Sequence, residues 1–255
     1  MKQIFRFFQK VAAGGDGRGY SVPAGRRIYA IGDVHGRADL LNDLLALIDQ
    51  DNSKRSPAVK TLIFLGDLVD RGCQSAQVVQ STCQLQASDE NIYVIKGNHE
   101  EAMLAALDGN LRAFKFFLMY GGAATLRSYN IPEKNIRVEA LPDLLRTFIS
   151  TIPPHHVDFL RHAIDFLEIG DYFFTHAGVR PGVSLSNQAA FDLRWIREPF
   201  LSHSRPFPKL IVHGHTPEED VQIRSNRIGI DTGAFETGRL TAIGLENEDM
   251  WFVQT

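Results

Sequence analysis

Five short segments carry the residue types that bind metal ions and cleave phosphate esters. They are Gly-Asp-Val-His-Gly at 32–36, Gly-Asp-Leu-Val-Asp-Arg-Gly at 66–72, Gly-Asn-His-Glu at 97–100, His-Ala-Gly at 176–178 and Gly-His-Thr at 214–216. Each segment alone is a weak pattern. Together they place carboxylate, imidazole and amide groups beside glycines, mostly after apolar runs, which is what a dinuclear phosphate-cleaving centre needs.

The spacing within the segments suggests which residues bind which ion. Asp33 and His35 are two residues apart, so in an extended chain both side chains point the same way and can bind one ion. Asp67 can offer one carboxylate oxygen to each of two ions that lie about 3.5–4 Å apart. The second ion is completed by three further ligands: Asn98, His176 and His215.

Four other residues are candidates for proton transfer and phosphate binding. His99 follows Asn98, so it points elsewhere and is free to protonate the leaving oxygen, a step worth about 10²–10⁴ in rate. Asp70 is placed to accept a hydrogen bond from His99 and to keep the imidazole protonated. Arg71 and Arg197 can each bind phosphate oxygens through a guanidinium group.

Two residues beside these segments have open roles. His213 lies two residues before His215 and could be a further ligand, a hydrogen-bonding partner of a ligand, or an ordinary strand-end residue; we assign His215 as the ligand. Cys73 follows Gly72 directly, but no neighbouring base identifies it as a nucleophile.

Composition excludes several classes of protein. The 255 residues are 44% hydrophobic and 22% charged, which is ordinary for a globular protein, and the net charge of −3 gives no sign of nucleic-acid binding. The two cysteines are too few for a disulfide scaffold and suggest a reducing compartment. No apolar run approaches the roughly 18 residues of a membrane span. We therefore predict a cytoplasmic protein without a transmembrane segment.

The chain begins with a segment that is distinct from the rest. Residues 2–11 place apolar and basic side chains on opposite helical faces, which predicts a short helix docked on its own domain, a frayed end, or a contact with a membrane surface. Residues 13–19 are glycine-rich and predict a linker. Residues 1–25 are thus an amino-terminal segment, and residues 26–255 form a single catalytic domain.

The first half of that domain predicts an α/β fold. Strands are expected at 27–31, 61–65 and 91–95, with helices at 38–49 and 75–86. This βαβαβ order implies a mainly parallel sheet whose strand ends deliver the first three segments to one edge. An inserted helical cap is expected from about residue 100 to 168. Short strands after residue 170 predict an antiparallel or mixed second sheet packed against the first.

The segments resemble the signature of the phosphoprotein phosphatases, within the calcineurin-like metallophosphoesterases. The later stretches Trp-Ile-Arg-Glu at 195–198, Gly-His-Thr-Pro at 214–217 and Ile-Asp-Thr-Gly-Ala at 230–234 are similar to the compact bacterial and phage branch. The resemblance implies an α/β/β/α sandwich of two mixed sheets flanked by helices. It also implies two divalent ions, manganese before iron or zinc, and direct attack by a metal-bridging hydroxide without a phosphoenzyme.

The resemblance further implies a role for each site residue. The first ion falls to Asp33, His35 and Asp67, and the second to Asp67, Asn98, His176 and His215. His99 with Asp70 matches the proton-donating pair, and Arg71 with Arg197 matches the phosphate-binding arginines.

The leading functional hypothesis is a protein phosphatase acting on phosphoserine and phosphothreonine, with phosphotyrosine as a further candidate substrate and phosphorylated proteins as partners. The main alternative is a symmetrical bis(5'-nucleosyl)-tetraphosphatase, which shares the first three segments. Glu100 and Thr216 favour the phosphoprotein hypothesis, because enzymes of the alternative class tend to carry Asp and an aromatic residue there. A non-catalytic phosphoprotein-binding module is a second alternative, and it would lack a ligand or the acid.

Overall fold

A computed structural model describes residues 19–136 and 140–255. The predicted amino-terminal helix lies outside these residues. The strands are β1 Arg26–Ile31, β2 Val59–Phe64, β3 Ile92–Val94, β4 Phe166–Ile169, β5 Tyr172–Thr175, β6 Leu210–His213, β7 Gln222–Ile223, β8 Arg227–Gly229, β9 Thr241–Glu246 and β10 Asp249–Gln254. The helices are α1 Ala38–Ser53, α2 Ser75–Ser88, α3 Asn98–Leu107, α4 Leu111–Phe117, α5 Ala123–Ser128, α6 Leu141–Thr151, α7 Pro154–His162, α8 Ala190–Trp195 and α9 Ala234–Thr237.

The strands form two mixed sheets, as expected for this α/β fold. The first sheet has the order β10-β9-β1-β2-β3, with β1, β2 and β3 parallel and β9 antiparallel to β1. The second has the order β4-β5-β6-β8-β7, with β5, β6 and β8 parallel. The expectation that all the late strands build the second sheet is wrong for β9 and β10. They extend the first sheet, and Glu246 of β9 pairs with the buried Arg27 of β1.

Alternating side chains on the strands create three apolar layers. On β1, Tyr29 and Ile31 face the cluster under the helices, whereas Ile28 and Ala30 face the cluster between the sheets. Phe173 of β5 belongs to a third cluster, on the outer face of the second sheet and against α8. Because successive strand residues point to opposite faces, this arrangement requires two stacked sheets with helices outside, which is the predicted α/β/β/α sandwich.

The helical insertion is slightly shorter than predicted. Helices from α3 to α7 pack on the helical side of the first sheet, where Phe114, Phe117 and Phe148 join its apolar cluster. The insertion does not reach residue 168, because Phe166–Ile169 forms β4, which pairs antiparallel with β5. Among the helices within the described ranges, none combines the length and the apolar content that crossing a membrane requires.

Candidate active site

All five segments lie at strand ends and converge. Asp33 and Asp67 follow β1 and β2 after one or two intervening residues, and Asn98 starts α3 just beyond β3. His176 follows β5 directly, and His215 comes two residues after β6. The site is thus formed by loops at the carboxyl ends of parallel strands from both sheets, where open α/β folds bind ligands.

The backbone of these loops is strained at the functional residues. Within the described residues, seven non-glycine residues have positive φ, and five of them lie in the site segments: His35 (44°), Asp67 (50°), Asp70 (73°), Arg71 (68°) and His215 (64°). Left-handed backbone is costly for residues with a Cβ, and such residues cluster at functional sites where the surroundings hold them in place. The fold therefore holds these side chains in orientations that a relaxed loop would not adopt.

Four donor atoms meet around the second predicted ion position. His176 Nε2 lies 2.8 Å from Asn98 Oδ1, 3.2 Å from His215 Nδ1 and 3.4 Å from Asp67 Oδ1. His176 Nδ1 donates a hydrogen bond to the Leu65 carbonyl at 2.8 Å. Nε2 therefore keeps its lone pair, which faces the other three metal-binding atoms. The arrangement brings together all four ligands that the sequence predicted for this ion.

The first ion position is marked by a buried nitrogen without a protein partner. His35 Nδ1 donates to the Val69 carbonyl at 2.8 Å, which leaves the lone pair of Nε2 available. Nε2 is buried, has no hydrogen-bond partner among the described residues, and lies 3.4 Å from Asp67 Oδ2. A buried nitrogen of this kind is costly unless it accepts a hydrogen bond or binds a cation, and the nearby Asp67 carboxylate favours a cation. Asp67 thus directs Oδ2 toward His35 and Oδ1 toward His176, as a ligand that bridges two ions must.

Asp33 lies against the backbone of His215 and near Asp67. Its carboxylate accepts hydrogen bonds from the His215 backbone N–H, at 3.1 and 3.0 Å to its two oxygens. Burial raises the pKa of Asp33, and the nearby carboxylates of Asp231 and Asp67 raise it further. Such crowding of buried carboxylates is relieved by a bound cation. A side chain at Gly214 would be incompatible with this packing, since its Cβ would lie 2.0 Å from Asp33 Oδ1.

The donor atoms that lie within 4.8 Å of one another form two groups, one of His35, Asp67 and His99 and the other of Asp67, His176 and His215. We assign Asp33, not His99, to the first ion. His99 Nδ1 is 2.6 Å from Asp70 Oδ2. Burial disfavours the charged imidazole, but Asp67 and Asp70 outweigh it and raise the pKa of His99 to about 9. A protonated imidazole has no lone pair for a metal and is instead a proton donor.

Asp70 is itself held by two hydroxyl groups. The Thr125 hydroxyl donates to Asp70 Oδ1 at 2.6 Å, and the Asp70 backbone N–H donates to the Thr125 and Ser75 hydroxyls at 2.9 and 3.1 Å. Thr125 is fully buried. The predicted pairing of His99 with Asp70 is therefore present, and α5 and α2 fix the position of Asp70.

The two predicted phosphate-binding arginines occupy different positions. Arg71 Nη2 lies 3.4 Å from His99 Nε2, and its guanidinium lies over the ring of Phe235 at 4.7 Å from the centroid. Arg197 is exposed, and its charge is one of the influences that lower the pKa of His215, after burial and His176. Among the residues that the structure describes, no carboxylate pairs with either guanidinium, so both are available to an anion.

The structure adds residues whose roles the sequence did not indicate. Glu100 accepts hydrogen bonds from the backbone N–H groups of Asp67, Leu68 and Gly97, at 2.8, 2.8 and 2.9 Å, and it is fully buried. Glu100 thereby holds the loop that carries Asp67 in place. Its identity therefore carries less information about the substrate than expected from the sequence. Asp231 lies beside Asp33. The sequence feature that could have indicated this residue is its position directly after the apolar run Ile-Gly-Ile at 228–230.

His213 lies outside both groups of donor atoms. Its Nδ1 donates to the Gly214 carbonyl at 3.0 Å, and its ring packs edge-on against Phe200 with centroids 5.1 Å apart. Its Nε2 is buried without a hydrogen-bond partner among the described residues, so its role stays a prediction, and His215 remains the assigned ligand. Cys73 is an exposed free thiol.

Comparisons with known proteins point to one family. A model of the family described as calcineurin-like phosphoesterase matches residues 26–242. Among curated proteins, bis(5'-nucleosyl)-tetraphosphatase PrpE (asymmetrical) of Anoxybacillus flavithermus is 26% identical over 237 residues, covering 84% of this chain and 88% of that protein.

Solved structures share the fold. A provisionally assigned diadenosine tetraphosphatase superposes with a TM-score of 0.65 at 20% identity, covering 92% of this chain and 98% of that one. A protein serine/threonine phosphatase of Saccharomyces cerevisiae superposes with a TM-score of 0.54 at 14% identity, covering 91% and 80%. At these identities the likeness establishes the fold alone.

Proposed function

The chain belongs to the calcineurin-like phosphoesterase family, and on this basis we propose that it hydrolyses bis(5'-nucleosyl) tetraphosphates asymmetrically at a centre of two divalent cations. The observation that carries the reaction type is the arrangement of Asp67, which directs one oxygen to the group of His35 and the other to the group of His176. The substrate is supported by the curated relatives of that name, which align along 84% of the chain.

The residues present fit two cations. Asp33, His35 and Asp67 would hold the first, and Asp67 with Asn98, His176 and His215 the second. A cation pair supplies charge neutralisation for the phosphoryl oxygens and a water acidified for attack. Manganese remains our choice of metal, because the carboxylate and amide oxygens suit it, while the three imidazoles suit iron and zinc.

The side chains of the protein supply the remaining functions. Arg71 and Arg197 bind the non-reacting phosphate oxygens and stabilise charge in the transition state. Stacking on Phe235 limits the orientations of the Arg71 guanidinium. His99 donates its proton to the leaving oxygen, and Asp70 orients the imidazole and stabilises its charged form.

The second candidate is the protein phosphatase that the segments predict. The paired His99 and Asp70 favour it, because an alkoxide leaving group from phosphoserine or phosphothreonine requires a general acid. A nucleotide leaving from a phosphoanhydride is already a weak base and needs the acid far less. The importance of His99 therefore distinguishes the two substrate classes.

One experiment compares the candidates. Protein freed of metal and then supplied with manganese is assayed on diadenosine tetraphosphate and on phosphoserine, phosphothreonine and phosphotyrosine peptides, with Asp67→Asn as the blank. Asymmetrical cleavage yields ATP and AMP, whereas symmetrical cleavage yields ADP alone. Turnover confined to the peptides, or ADP as the only nucleotide product, would overturn the proposed function.

A further inference from the structure

Four aromatic side chains form an open surface beside the catalytic loops, here called the aromatic ledge: Phe116, Tyr120, Phe191 and Trp195. Phe116 packs on Tyr120 with centroids 4.3 Å apart and on Trp195 at 5.6 Å. Phe191 and Trp195 are nearly parallel, with an interplanar angle of 16° and centroids 6.1 Å apart. Phe191 is 66% exposed and Tyr120 is 49% exposed. These rings leave large planar faces open to solvent.

The aromatic ledge is joined to the catalytic site at two points. On one side, Gly121 follows Tyr120, and its carbonyl accepts a hydrogen bond from the Arg71 backbone N–H at 3.2 Å. On the other side, the Trp195 indole N–H donates to Glu101, which lies two residues after His99 on α3. The aromatic ledge is therefore connected by one contact to the loop of Arg71 and by another to the helix of His99.

The backbone is distorted where the aromatic ledge meets the site. Between α4 and α5 the chain kinks at Leu118–Gly122, where Tyr120 (φ −102°) and Gly121 (φ 110°) depart from helical backbone angles. A Cβ at Gly121 would lie 2.9 Å from the Arg71 backbone nitrogen. The missing side chain of Gly121 thus allows close contact with Arg71, and Tyr120 faces solvent.

From these contacts we infer that the aromatic ledge is a nucleobase-binding subsite, which stacks one base of the substrate while its phosphates lie at the metal centre. This inference rests on the proposed function and specifies how the substrate is selected. Every nucleobase offers a flat π face, and stacking on aromatic side chains is a sequence-tolerant means of binding it. The charge pattern agrees, because unpaired Arg71 and Arg197 complement a polyphosphate chain between the base and the reacting phosphorus.

The test uses Phe191→Ala and Tyr120→Ala, whose side chains are exposed enough to leave the core intact. Ile149→Ala is the matched control, because Ile149 is an apolar residue of α6 that is 41% exposed. Steady-state kinetics compare diadenosine tetraphosphate with inorganic tetraphosphate, which has the same phosphate chain but no base. We expect KM for the dinucleotide to rise roughly 10-fold in each ledge variant, with KM for inorganic tetraphosphate changing by less than about 2-fold.

A binding measurement separates this inference from the proposed function. Trp195 fluorescence is titrated with ADP and, in parallel, with pyrophosphate, in a Trp251→Phe background that leaves Trp195 as the single tryptophan. We expect ADP, but not pyrophosphate, to quench the emission, and Tyr120→Ala to weaken that quenching. This result would hold even if diadenosine tetraphosphate were not hydrolysed, in which case only the proposed function fails.

Three outcomes would overturn the subsite. The ledge variants could change KM for both polyphosphates equally, or leave both unchanged. Alternatively, they could impair only phosphopeptides that carry an aromatic residue beside the phosphorylated one, which would make the aromatic ledge a peptide-binding surface.

Discussion

Replacement of Asp70 by Asn tests whether this carboxylate acts through His99. Asp70 Oδ2 lies 2.6 Å from His99 Nδ1, and Oδ1 accepts the Thr125 hydroxyl at 2.6 Å. Asparagine has the same shape and can still accept a hydrogen bond from His99. The variant therefore loses only the difference between a charge-assisted and a neutral hydrogen bond, about 1.5 kcal/mol. If that difference is expressed in the transition state, kcat falls roughly 10-fold.

The effect must depend on the leaving group. For a phosphoserine peptide, proton donation by His99 matters, so we expect the full loss in kcat. For p-nitrophenyl phosphate, whose leaving group is a weak base, we expect almost no loss.

The pH dependence of kcat should also change in the variant. Asp70 helps to raise the pKa of His99, and the acid must be protonated to act. The alkaline fall of kcat on alkyl phosphates therefore shifts to lower pH in the variant.

A double-mutant cycle supplies the control. His99→Asn alone should reduce kcat on the peptide by about 10²–10⁴. If Asp70 acts only through His99, adding Asp70→Asn to that variant should change kcat little further. The reasoning is refuted if Asp70→Asn reduces kcat by the same factor in both backgrounds, or equally for both leaving groups. Thermal unfolding of each variant verifies that the fold is retained.

Three further predictions concern other parts of the molecule. Asp51→Asn should lower the free energy of unfolding by about 2 kcal/mol at pH 7, because buried Asp51 accepts a charged hydrogen bond from Arg55 at 2.8 Å. Burial tends to raise the pKa of Asp51, but hydrogen bonds from Arg55 and others lower it overall, so the difference seen in urea unfolding should shrink as pH falls below about 4. Gly214→Ala should weaken manganese binding in calorimetry, since the new Cβ would collide with Asp33, 2.0 Å away; unchanged affinity would contradict the assignment of Asp33 as a ligand. Manganese at about 100 times its Kd should stabilise the protein by about 2.7 kcal/mol, and Asp67→Asn should abolish most of the accompanying rise in Tm.

Much of the fold could be predicted, because strand and helix periodicity are local properties of the chain. The parallel strands β1, β2 and β3 were anticipated from their apolar runs and from the helices between them. The placement of β9 and β10 was not, because short strands without intervening helices can pair with any open edge. The buried pairing of Arg27 with Glu246, 219 residues apart, is one of the contacts that join β9 to the first sheet.

The sequence by itself predicted the reaction class, phosphoester hydrolysis, and the residues that we propose for it. Asp67 as a bridge and His99 beside Asn98 follow from residue type and from spacing of a few residues, which local geometry converts directly into orientation. Only the tertiary structure decided which atoms are used and what surrounds them. Thr125 reaches Asp70 from 55 positions away, and the aromatic ledge joins side chains of α4, α8 and the kink between α4 and α5. Such contacts depend on the packing of whole layers, which is a sum of many small interactions that no short segment encodes.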